Sequence, residues 1–121
     1  MVHINGETFP AEYLHEPEEQ QKGMMGRDKL NGCMVFPMGQ GHHSFWMHGC
    51  KIPLDIIFVN KNIISRIHHN CPIPNNEPEL PKYTGIGDHV IEFPGGTALS
   101  KNWKVGNKVK MYLGAPENPV R

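Results

Sequence analysis

Glycine and proline cut this chain so densely that most of its apolar runs are only strand length. With 13 glycines and 11 prolines spread among 121 residues, the intervals between breakers suit short strands and turns better than the long periodic stretches of a helical bundle. The expected fold class is therefore mainly β: a small, partly closed barrel or sandwich with one or two short helices. The length supports one core, so residues 1–121 are read as a single domain.

Local signals place the elements. Asn5-Gly6 supplies the two positive-φ positions of a tight hairpin, which makes "HINGETF" two strands and a turn. In "HEPEEQQKGMMGR", Pro17 suits a first helical turn, acidic residues follow it, and Gly23 or Gly26 ends the helix. Further strands are expected over 33–36, 44–48, 55–59, 63–69, 89–93 and 108–113, the last after a turn at Gly106-Asn107. Ile56 to Val59 are apolar at consecutive positions, so both faces of that strand should be covered. Four prolines and the Asn75-Asn76 pair leave most of 70–87 irregular, and loops of that length often carry function.

Charge excludes some partners. Twelve basic residues balance twelve acidic ones without a run of either sign, so neither nucleic acid nor an anionic membrane is expected as a partner. No apolar run approaches a membrane span and no leader is legible, and three separated cysteines do not form a disulfide framework. A soluble, cytoplasmic chain with reduced thiols is expected, and no cofactor is assigned.

The segments "KGMMGR", "GCMVF", "SFWMHGCKIPLDIIFV", "HVIEFPGG" and "KVGNKV" occur in an order and spacing that resembles the uncharacterised prokaryotic family called domain of unknown function 192, over about 16–109. The resemblance implies a single β-rich domain with a barrel-like core and brings no activity with it. Gly49-Cys50 stands where that family usually has an Asn-Thr pair, and the secretion signal of many members is absent from the sequence as given.

Three functional readings compete for the same residues. In the first, Arg27, Trp46, Asp55 and Glu92 converge on one rim as a ligand pocket, Arg27 gripping a small anionic ligand and Trp46 forming a flat wall. Asp55 then meets Arg27, or accepts hydrogen bonds from the turn 52–54. In the second, a hydrolase uses Asp55 with Glu92 as acid and base, or His48 to activate Cys50 on the same strand face. In the third, His48, Cys50, His69 and Cys71 hold zinc. The expected role is a binding or accessory module for a small molecule or protein, rather than an enzyme. Met24, Met25, Met34, Met38 and Met47 are read as packing. Phe36, Phe45, Met47, Ile56, Phe58 and Ile91 are the expected core.

Overall fold

The computed structural model describes residues 1–112. The strands are β1 (Val2–Ile4), β2 (Glu7–Phe9), β3 (Ala11–Tyr13), β4 (Cys33–Phe45), β5 (Leu54–Asn60), β6 (Ile63–Cys71), β7 (Tyr83–Pro94) and β8 (Val109–Met111), with short helices α1 (Pro17–Lys22) and α2 (Thr97–Ser100). They form a three-stranded sheet of order β2-β1-β8 and a five-stranded sheet of order β3-β4-β7-β5-β6. All pairings are antiparallel except β3 with β4. Over the described residues the fold is mainly β, with two sheets and no closed barrel. No helix among the described residues is long and apolar enough to cross a membrane.

Two apolar layers result. Val2, Ile4 and Val109 from the small sheet pack with Val35, Ile57, Val59, Ile91 and Phe93 from the large one. On the other face of the large sheet, Met34, Phe36, Ile56, Phe58 and Val90 are covered by Leu14, Met24 and Met47. The consecutive apolar residues of β5 are buried on both faces for this reason. Of the expected core, Phe36, Met47, Ile56, Phe58 and Ile91 are buried and Phe45 is partly buried against them.

The Asn5-Gly6 hairpin forms as expected, with positive φ at both residues and Ile4 paired to Glu7. The strands expected over 33–36 and 44–48 are instead one strand, β4, which stays paired with β7 across an irregularity between Pro37 and Gly41 and ends at Phe45. Strand β7 likewise begins well before 89. Gly85 and Gly87 read as loop residues, yet a Cβ on Gly85 would lie 2.5 Å from Cγ of Phe58 and one on Gly87 2.3 Å from the Val59 carbonyl oxygen. Those glycines serve close approach to β5, not a turn. Leu113, the expected end of the last strand, lies outside the described residues.

Candidate functional site

Helix α1 is only six residues long, and its position depends on side-chain ties. The Glu19 carboxylate accepts from the Glu16 backbone N–H at 3.2 Å, and Gln20 Nε2 donates to the carbonyls of Leu14 and Pro37, both at 2.8 Å. The chain then turns through Gly23 and Gly26, and the Gly26 N–H donates to the Gly49 carbonyl at 2.9 Å while Met25 bridges Cys50. Gly49 has a φ of 72°, and a Cβ there would press on the Met25 side chain. The segment after β4 is thereby held against the segment after α1.

Between them and the large sheet lies a cavity of about 280 Å³. Met24 and Met25 line it from the α1 side, Phe36, Met38 and Phe45 from β4, Trp46, His48 and Cys50 from the following loop, and Glu92 from β7. Trp46 is 50% exposed and stacks on His48 with ring centroids 4.9 Å apart. Two adjoining grooves share this stacked pair, one against α1 and one against the loop 74–82.

Among the polar side chains that line the cavity, Glu92 is the buried one. Its alternation with Ile91 and Phe93, and its register opposite Met34 and Ile56, put it on the α1 face of the large sheet. It is 4% exposed, and Oε1 is buried with no hydrogen-bond partner. Loss of hydration disfavours the charged carboxylate and pushes the Glu92 pKa up to about 8. Nothing in the sequence distinguished this glutamate from an outward-facing strand residue before the Pro94-Gly95-Gly96 turn.

The other expected site residues do not join it. Asp55 is fully buried, but its partners are backbone N–H groups: Asn70 at 2.7 Å, Gly96 at 3.1 Å and Ala98 at 2.7 Å. The expected acceptor role holds, though the donors come from the end of β6 and the start of α2 rather than from 52–54. Asp55 pairs in register with Phe93, so it and Glu92 point to opposite faces and make no acid–base pair. Arg27 does not meet Asp55 either. Its guanidinium grips Glu12 through two bonds of 2.7 and 2.9 Å at the surface, holding the Glu12 carboxyl below its usual range. Glu12 on the neighbouring β3 is reachable without burying a charge, whereas Asp55 lies beneath a packed layer.

The cysteine and zinc readings are also corrected. Since β4 stops at Phe45, His48 and Cys50 do not share a strand face. His48 packs on Trp46, and burial followed by the nearby Glu92 charge pushes the Cys50 thiol up to about 11. Such a thiol is not a ready nucleophile. Cys71 closes β6 in the apolar layer and is pushed up to about 11, mainly by burial. His69 is exposed, and no group of three or more His, Cys, Asp or Glu side chains among the described residues is placed to hold a metal ion. The three cysteines are free thiols.

Residues 1–111 match the family described as "Uncharacterized ACR", domain of unknown function 192. No curated protein matches the chain. The structure is similar to a crystal structure of a protein of unknown function from Novosphingobium aromaticivorans, with a TM-score of 0.81 and 30% identity over 91% of this chain and 83% of that one. It is also similar to a candidate transcription regulator from Sinorhizobium meliloti, with a TM-score of 0.74 and 22% identity over 83% and 79% of the two chains. The latter likeness is one of fold.

Proposed function

The chain belongs to the uncharacterised domain of unknown function 192 family, and within it we propose a small-molecule binding module whose ligand occupies the cavity between α1, the 46–50 loop and β7. One observation carries this reading: a buried carboxyl without a hydrogen-bond partner stands in the wall of a cavity rimmed by a half-exposed tryptophan. Folding alone gives no reason for such a group, because an unpaired buried polar atom destabilises a fold, and a methionine would fill the same place. Apolar walls with a few oriented polar atoms are how small-molecule sites are commonly built. Arg27 takes no part, being committed to Glu12. The three free thiols are compatible with work in a reducing compartment such as the cytoplasm.

The reading is tested by recording amide and side-chain NMR spectra of the full chain while titrating a panel of small aromatic and aliphatic compounds. Ligand-induced shifts should gather on Met24, Met25, the Trp46 indole, His48 and Cys50, and Trp46→Ala should weaken binding without changing the melting temperature. Shifts gathering instead around exposed Leu99 and Val105 would overturn it.

A further inference from the structure

Glu92 faces its cavity without a counter-charge. Lys22 at the mouth is exposed and in no ion pair among the described residues, and His48 is stacked on Trp46. The remaining titratable groups toward Glu92 are the thiols of Cys50 and, from β6, Cys71. The inner walls are rich in electrons, and the free side-chain donors, Gln21, Lys22 and Ser44, lie on the exposed rim. Aromatic faces and thioethers surround the carboxyl, while the Gln20 amide is already used on the carbonyls of Leu14 and Pro37. The adjoining grooves add Glu18, Glu77 and Glu79 against Lys22 and Lys82. An anion can be met by Lys22 at the exposed mouth, but at the inner wall it meets repulsion or an uncharged acid. A donor-bearing cation meets a carboxylate, π faces and sulfur. A bare metal ion lacks a ligand set here.

Resting on the binding-module reading, we propose that the cavity takes an organic amine, its ammonium on the Glu92 carboxylate and its apolar body against Phe36, Phe45 and the thioethers of Met24 and Met38, with Trp46 at the outer side. Because burial keeps Glu92 protonated in the empty cavity near neutral pH, binding moves one proton from the carboxyl to solvent as the ammonium arrives.

Benzylammonium, benzyl alcohol and benzoate share one ring and differ in charge, and titrating each into the full chain by calorimetry and NMR tests the assignment. Benzylammonium should bind roughly tenfold or more tighter than the alcohol, with benzoate weakest. Its apparent enthalpy should vary with the ionisation heat of the buffer as one released proton requires. Glu92→Gln should erase the amine's advantage while the alcohol still binds, and Trp46→Ala should weaken both. If benzyl alcohol or benzoate binds in the cavity as tightly as the amine, the cation assignment is overturned and the binding module stands. If amine shifts lie only at Glu18, Glu77 and Glu79 and survive Glu92→Gln, the attraction is superficial and the assignment is likewise overturned. If no probe at millimolar concentration moves a cavity resonance, both readings are overturned.

Discussion

Asp55 and Glu92 are the two buried carboxyls of the described chain, and their surroundings give them opposite consequences. Asp55 accepts three backbone N–H bonds that tie the end of β6 and the first turn of α2 to β5. Asp55→Ala should lose about 3 to 5 kcal/mol of stability, because three donors are left unpaired in a dry setting. Asp55→Asn should lose less, since one oxygen remains to accept, and urea denaturation measures both. Glu92 works against the fold. Its folded-state pKa of about 8 lies above the ordinary 4.5, so below about pH 4.5 both folded and unfolded chains hold the proton and its titration leaves stability unchanged. Between about 4.5 and 8 the unfolded chain releases a proton that the folded chain keeps. Stability should therefore fall with rising pH by up to about 1.4 kcal/mol per unit, levelling off above about 8. Glu92→Gln should remove that slope, and Glu92→Met should raise the melting temperature at neutral pH. Parallel pH profiles for parent and Glu92→Gln would show that Glu92 titrates at its ordinary value.

Strands β5 and β7, like β4, contribute side chains to both apolar layers. Phe58 on β5 is fully buried, and Gly85 on β7 leaves the space its ring fills. Phe58→Ala should cost about 3 to 5 kcal/mol through lost contacts and a residual cavity. Gly85→Ala should cost about 1 to 3 kcal/mol by forcing the ring or the strand aside. A thermal melt that leaves either variant at the parent midpoint would remove that contact from the core. Helix α1 has no buried residue and is held largely through Gln20. Gln20→Ala should speed hydrogen exchange at Gly23 and Met25, whose N–H groups bond to Glu19 and Lys22, while β5 keeps its protection.

Across the whole molecule, the large sheet separates a sealed layer from one that holds a cavity. The thiols report on both. Burial pushes Cys33 up to about 12, and Cys50 and Cys71 up to about 11. A thiol reagent near neutral pH should therefore label the native protein slowly, Cys50 first because it is only partly buried, and all three cysteines quickly once the chain is unfolded. Prompt labelling of Cys33 in the native state would contradict the sealed layer. The β class, the Asn5-Gly6 hairpin, the short helix after Pro17 and the double burial of Ile56 to Val59 were legible in the chain, because each rests on residues adjacent in sequence: turn formers, an N-terminal proline, an unbroken apolar run. The continuity of β4 through Pro37 to Gly41 and of β7 through Gly85 and Gly87 was not, since partner strands decide whether a breaker ends a strand or fits a close approach. Nor was the site. Four residues were expected to converge, and only Trp46 and Glu92 do; Arg27 finds Glu12 across a neighbouring strand, and Asp55 lies one position out of phase with Glu92. A carboxylate's type and place in a strand are written in the sequence. Its burial and partners depend on which face the pairing register presents and on what the other segments lay over it, so only the tertiary structure decided that Asp55 fastens the fold and Glu92 faces a cavity.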